Sequence, residues 1–436
     1  MKYFIFTFGC QMQKSDSERV ASVLEKMNYK KAERFEDADL IVVNMCSIRQ
    51  SAVDRIYGLA EKLKKLKEKK PNLKTILTGC ILEKDKKNFL KKFDFVLDIK
   101  ALPYWGKILS KETFEIENEK LGCAYLKIEP KYSNNFSAFV PISNGCSNFC
   151  SYCVVPFVRG PLVCRDHKEI LNEAKNLVEK KFKEIWLLGQ NVADYISPSD
   201  SKVDFGVLLE MINEIKGNFW IRFTSPNPTN FSLELVKKIA ILSKVTPYLN
   251  LPVQSGDDEI LKKMNRKYTV SQYKELVKKI RKAFKKYRKH LEKEVAISTD
   301  VIVGFPGEKR HHFENTKKLF KQIGFFMAYI AKYSPRPQTL AFNFKDDVPP
   351  IEKEKRQKEL TQILEKTALK FNKKFLNKVV RVLVHEKRKD FYLGKTRHFQ
   401  TIKFSSNEDV LGKFVRVKVK KITPFGLEGK FLEIEK

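Results

Sequence analysis

Apolar and polar positions along this chain follow two different rhythms, and the change of rhythm marks its parts. Over residues 1–100, short apolar runs alternate with longer stretches of helical spacing. Residues 3–8 form an apolar run that ends at Gly9-Cys10, and residues 17–27 then have the periodicity of a helix. Residues 40–43 read as a buried strand ending at Asn44-Met45-Cys46. A helix is predicted over about 51–70, stopped by Pro71. Residues 75–77 lead to Thr78-Gly79-Cys80, and another helix follows. A repeated strand–helix unit implies right-handed crossovers, so the fold class is α/β, opening with a doubly wound parallel sheet.

Residues 101–135 are a connection, and polar residues 131–135 look like a domain boundary. The strand–helix alternation then resumes over 136–345, in six successive units. The apolar runs end at Gly189-Gln190-Asn191, Thr224-Ser225-Pro226, Pro252-Val253-Gln254-Ser255-Gly256, Gly304-Phe305-Pro306-Gly307 and Tyr333-Ser334-Pro335-Arg336. This predicts a full or partial (β/α) TIM-like barrel with its site on the C-terminal face. Glycine and proline there are ordinary turn chemistry, but Gln190, Asn191, Gln254 and Asp300 are polar side chains at strand ends. Residues 350–372 read as a long charged helix. From Val379 the rhythm changes to short alternating strands, 379–385, 392–396, 401–404 and 414–422, punctuated by glycines. That pattern predicts a small antiparallel β-barrel of the oligonucleotide-binding (OB-like) kind. The domains expected are 1–122, 136–368 and 369–436.

Charge adds a partner. The 436 residues carry 85 Lys and Arg against 52 Asp and Glu, a net +33, which suits a polyanion such as RNA. Much of this lysine is scattered, as in Lys62-Leu63-Lys64-Lys65-Leu66-Lys67, the solvated face of a helix. The last 68 residues are enriched, with 18 basic against 7 acidic side chains. There Arg397, His398 and Phe399 suit contact with RNA backbone and stacking on bases. No apolar run approaches the roughly 18 residues that span a bilayer, and the opening segment has no leader pattern. The expectation is a cytoplasmic chain with no membrane partner, whose eight cysteines ligate or catalyse rather than bridge.

The cysteines carry the chemistry. Cys146, Cys150 and Cys153 are spaced Cys-x3-Cys-x2-Cys in one short loop. Three thiolates that close suit three irons of a [4Fe-4S] cube, leaving the fourth corner for a small molecule. Zinc competes; it wants four ligands, and Cys164 or His167 would supply the last. An odd trio this tight excludes internal disulfide pairing. Cys10, Cys46 and Cys80 lie 36 and 34 residues apart, about one βαβ unit each. Each falls just past a strand's carboxyl end, the edge where open parallel sheets bind ligands, so the three should converge as a second cluster site. The bland reading is three independent core cysteines. Cys123 and Cys164 fit neither trio.

The loop, continued by Val154-Val155-Pro156-Phe157-Val158-Arg159-Gly160, resembles the radical S-adenosylmethionine (SAM) motif of the methylthiotransferases. Ordered matches span the chain: Thr7-Phe8-Gly9-Cys10-Gln11-Met12, Asn44-Met45-Cys46-Ser47-Ile48-Arg49, Leu187-Leu188-Gly189-Gln190-Asn191-Val192, Phe223-Thr224-Ser225-Pro226 and Asp300-Val301-Ile302-Val303-Gly304-Phe305. With them the iron–sulfur reading displaces zinc. The resemblance implies two [4Fe-4S] clusters, on Cys10, Cys46 and Cys80 and on Cys146, Cys150 and Cys153, the latter binding SAM. Tyr152, Gln190, Asn191, Ser225 and Gln254 become cofactor-binding candidates, and the C-terminal barrel an RNA-binding TRAM domain. The residues after Cys10 resemble the branch that methylthiolates carbon 2 of isopentenyl-adenosine next to the anticodon. That carbon bears an unactivated C–H, which no side-chain acid, base or nucleophile can open, so cofactor-borne radical chemistry is required. The implied partners are a tRNA anticodon stem-loop, a reducing electron donor and a sulfur source, acting on a monomer. Sister branches act on threonylcarbamoyl-adenosine or a ribosomal-protein aspartate, and a non-enzymatic iron–sulfur RNA-binding protein is the remaining alternative. The chain departs from the family at Gln13, where Asn is usual, at Asn227 and Asn250, where His is common, and at Gln338, Leu340 and residues 162–164.

Overall fold

The computed structural model describes residues 1–47, 50–110, 122–224 and 226–435. Its first layer is a five-stranded, all-parallel sheet. The spatial order is Lys30–Lys31, Lys2–Thr7, Leu40–Cys46, Lys74–Cys80, Phe95–Val96. Every residue of Leu40–Cys46 is buried, which fits a central strand covered on both faces. Strand order reverses between Lys2–Thr7 and Leu40–Cys46, and such a switch point opens a crevice at the carboxyl edge.

Six parallel strands follow in sequence order: Ser137–Pro141, Glu184–Leu188, Trp220–Phe223, Tyr248–Asn250, Ala296–Val303 and Met327–Lys332. They form two three-stranded sheets joined by the parallel bridge Ile221–Val245. Side-chain caps start the outer helices: Asp166, Asp204, Ser232 and Thr269 each accept a backbone N–H of the first turn. Among the described residues no pairing joins the first strand to the sixth, so the barrel is partial. Helix Gln11–Lys26 of the first layer packs against the open edge, where Ser15 Oγ donates to Phe139 O at 3.3 Å.

Helix Pro350–Lys373 leads into a closed five-stranded barrel. Four of its strands lie where the alternation places them. The fifth, Leu427–Ile434, does not show in the alternation; it closes the barrel through a parallel pairing with Thr401–Phe404. No helix among the described residues is long and apolar enough to cross a membrane.

Candidate active site

Three strand ends deliver the first trio. Cys10 is the N-cap of helix Gln11–Lys26, while Cys46 and Cys80 end adjacent strands and are direct partners in the ladder. Gln13 holds the group together: its Nε2 donates to Cys80 Sγ at 3.0 Å, and its Oε1 accepts from Cys10 N at 3.1 Å and Cys10 Sγ at 2.9 Å. Cys46 and Cys80 are buried and Cys10 is exposed. A hydrogen bond from Cys46, aided by the nearby Arg159 charge, holds the Cys80 thiol well below its ordinary value against the opposing effect of burial. The thiolate is the ligating form.

The second trio is local. A two-residue ladder, Ser143–Asn144 on Val163–Cys164, closes the base of the loop. Cys146 N donates to Gly160 O at 3.1 Å, Cys153 N to Cys150 O at 2.9 Å, and Ser151 N to Met264 O at 3.1 Å. Gly145 has φ +80, and a Cβ there would meet Pro161 O at 2.0 Å, so the turn requires glycine. Arg266 Nη1 donates to Cys150 Sγ at 3.3 Å and Asn148 Nδ2 to Cys146 Sγ at 3.4 Å. Burial, reinforced by Cys150 and Cys146, pushes the Cys153 thiol up to about 12. Thiols this close resist ionising together unless a metal shares their charge.

The donor sets fit iron–sulfur cubes better than zinc. His167 Nδ1 lies 2.8 Å from Ser197 Oγ, and Cys164 packs on the outer core of the barrel. Neither lines the cavity onto which Cys146, Cys150 and Cys153 open. Each trio therefore offers three sulfurs, and in each an arginine donates to a sulfur, Arg159 to Cys80 and Arg266 to Cys150, the counter-charge an anionic thiolate cluster needs.

That cavity, of about 670 Å³, brings together the loop cysteines, Tyr152, Gln190, Asn191 and Gln254. Ser225 lies outside the described residues. Gln190 Oε1 and Asn191 Nδ2 are buried without a hydrogen-bond partner among the described residues. Such orphans cost about 1–3 kcal/mol each, and an acceptor beside a donor in a cavity wall suits a polar ligand. Gln254 sits at φ 67, left-handed for a residue with a Cβ. Sequence reasoning missed Arg266 and Arg336. No motif surrounds Arg266, which is fixed by Asn227 Oδ1 at 3.0 Å. Arg336 Nη1 donates to Gln50 Oε1 at 2.8 Å. Both line the cavity, so its mouth includes a residue four positions beyond Cys46.

The link between the trios was also missed. Arg159 closes the short helix that follows Cys153, and its side chain is only 2% exposed. Its Nε donates to Cys80 Sγ at 3.1 Å, its Nη1 to Tyr125 OH at 3.1 Å and Asn144 Oδ1 at 3.2 Å, and its Nη2 to Asp16 Oδ2 at 2.6 Å. One guanidinium thus joins the loop of the second trio to a cysteine of the first.

The residues expected to touch RNA are placed elsewhere. The turn carrying Arg397, His398 and Phe399 plugs the barrel near where its strands begin. Phe399 packs on Trp186 at 5.1 Å and Tyr248 at 4.8 Å. Arg222 donates to Thr396 O at 2.8 Å and Arg397 O at 2.9 Å. Arg397 pairs with Glu292 at 3.0 Å, and His398 is buried against Phe375. A basic, aromatic turn serves equally to hold a domain seam, and here it does so.

Residues 2–99 match the uncharacterized protein family UPF0004, 140–320 the radical SAM superfamily, and 373–432 the TRAM domain. A fold neighbour is the radical SAM methyltransferase TsrM from Kitasatospora setae, with a TM-score of 0.55 at 12% identity over 78% of this chain and 74% of that one. The chain is 38% identical to the tRNA-2-methylthio-N(6)-dimethylallyladenosine synthase of Clostridium novyi, over 99% of this chain and 96% of that protein. It is likewise 38% identical to the synthase of that name from Clostridium botulinum strain Okra, over 98% and 96%. At that likeness over nearly its whole length, the chain belongs to the family of the tRNA-2-methylthio-N(6)-dimethylallyladenosine synthases, within the radical SAM enzymes.

Proposed function

We propose that the chain places a methylthio group on carbon 2 of N6-dimethylallyl-adenosine in tRNA, using SAM and two [4Fe-4S] clusters. Cys146, Cys150 and Cys153 would hold one cluster, and Cys10, Cys46 and Cys80 the other. The cluster on Cys146, Cys150 and Cys153, with SAM, would supply the one-electron chemistry that an unactivated C–H requires, and the one on Cys10, Cys46 and Cys80 would supply the sulfur. The chain's own residues do the rest. Gln190 Oε1 and Asn191 Nδ2 take up the polar edge of the cofactor, and Gln254 and Tyr152 complete the wall around it. Arg266 balances charge at Cys150. The first layer covers the open side of the barrel through Ser15 and Phe139, which keeps bulk water from the reacting atoms. The TRAM barrel presents its basic strands to the tRNA backbone.

The observation that supports this reading is the tie between the two trios: Arg159, from the segment after Cys153, donates to Cys80, and Gln50, four residues past Cys46, lines the cavity of the loop cysteines. Nucleoside mass spectrometry of tRNA tests it. A deletion strain should lose the methylthio group from dimethylallyl-adenosine, and plasmid-borne wild-type enzyme should restore it where Cys46→Ala does not. An intact mark in the deletion strain, or loss of the mark from threonylcarbamoyl-adenosine instead, would refute it.

A further inference from the structure

We propose that Arg159 sets the reduction potential of the cluster held by Cys10, Cys46 and Cys80, and does so from the neighbouring domain. This rests on the two-cluster reading above. The contact is a charged N–H donating to a ligating sulfur at 3.1 Å, in a place closed to water: the Arg159 and Asp16 side chains are 2% and 0% exposed. Hydrogen bonds to cluster sulfurs and local net charge are the levers that set such potentials. Reduction adds one negative charge to the cluster. A buried guanidinium beside a ligand favours the more negative, reduced state and raises the potential. Beside the hydrogen bond from Cys46, Arg159 reaches Cys80 as a charged donor and Gln13 Nε2, at 3.0 Å, as a neutral one.

Asp16 works in the opposite direction. Its carboxylate sits 2.6 Å from Arg159 Nη2 and offsets part of the positive charge. Tyr125 and Asn144 are neutral hydrogen-bond partners that fix the orientation of the guanidinium. A group that merely tied the domains together would make no use of Nε pointing at sulfur. The arrangement gives the two members of one ion pair opposite effects on one measurable quantity.

The test uses the full-length chain with Cys146, Cys150 and Cys153 all changed to Ala, so that only the sheet trio remains. After anaerobic reconstitution with iron and sulfide, the cluster is titrated with dithionite and mediators, and the reduced form is followed by EPR. In that background Asp16→Asn should raise the midpoint potential. Asp16→Asn combined with Arg159→Met, which removes both charges and strands neither, should lower it. Arg159→Lys keeps the charge but loses the fork, and should fall between the parent and the double variant. Unchanged potentials, or shifts of the same sign for Asp16→Asn and the double variant, would overturn the proposal, as would lower stability without any shift. Should the double variant not hold a cluster, Asp16→Asn decides by its sign. Failure of the parent background to assemble any cluster would refute instead the reading of the sheet trio.

Discussion

The two cysteine trios offer the same three donors and are built in opposite ways. Cys146, Cys150 and Cys153 share one loop, pinned by a two-residue ladder and a glycine at φ +80. Cys10, Cys46 and Cys80 are spread over three strands and meet only because a parallel sheet brings its carboxyl ends to one edge. A loop site depends on a handful of local hydrogen bonds. A sheet site depends on the whole domain. The loop trio lines the cavity in which a cofactor fits, and the sheet trio is tied to that loop through the buried Arg159, which donates to Cys80. Damage to one site should therefore look different from damage to the other.

The largest difference should come from the cysteines. Cys46→Ala should abolish methylthiolation of tRNA yet retain reductive cleavage of SAM to 5′-deoxyadenosine, whereas Cys150→Ala should lose both. Chromatography of the nucleoside products distinguishes them, and loss of both activities in Cys46→Ala would break the comparison. A remote control comes next. Arg222 is fully buried and pairs with Glu184 at 2.5 Å in the seam with the TRAM barrel. Arg222→Met removes the guanidinium partner of that buried carboxylate and leaves it only the neutral donors Ser137 and Trp186 and the more distant His385, at a cost of about 3 kcal/mol. Urea unfolding should report it while reconstituted iron stays level.

The glycines separate the two designs more finely. Gly79 has φ +103, and a Cβ would meet Met45 O at 2.3 Å inside the sheet. Strain at such positions costs about 1–3 kcal/mol. Gly79→Ala should lower both stability and iron bound at the sheet trio. Gly145→Ala should lower iron at the loop trio with a smaller change in the unfolding curve. The smallest effect sets the scale of an exposed ion pair against these buried links. Hydrogen bonds from Arg310, with help from Lys317, hold the Glu359 carboxyl at about 2 against an ordinary 4.5. A depressed carboxylate stabilises above its unfolded value, and that contribution disappears as pH falls through about 2. In the metal-free chain, Glu359→Gln should cost up to about 1 kcal/mol at pH 7 and only a small fraction of that at about pH 2, by thermal unfolding.

Local rhythm and spacing made much of this legible. The alternation of residues 1–100 predicts a parallel sheet, and the 36- and 34-residue intervals place three cysteines at its edge. Gln190, Asn191 and Gln254 are legible because polar side chains after barrel strands face the site. What stayed hidden depends on contacts between distant segments. Nothing local marks Arg159 as a partner of Cys80 and Asp16, 79 and 143 residues away. Arg397, His398 and Phe399 have a composition that suits RNA, and composition does not distinguish a solvent face from a domain seam. Strand Leu427–Ile434 escapes because Gly429 and paired apolar residues blur its alternation.

Iron and acid-labile sulfide counted per chain after anaerobic reconstitution test the central claim most directly. Two cubes require about eight irons in the wild type, and about four in either Cys46→Ala or Cys150→Ala. A Cys46→Ala chain that still binds the full wild-type complement would contradict it.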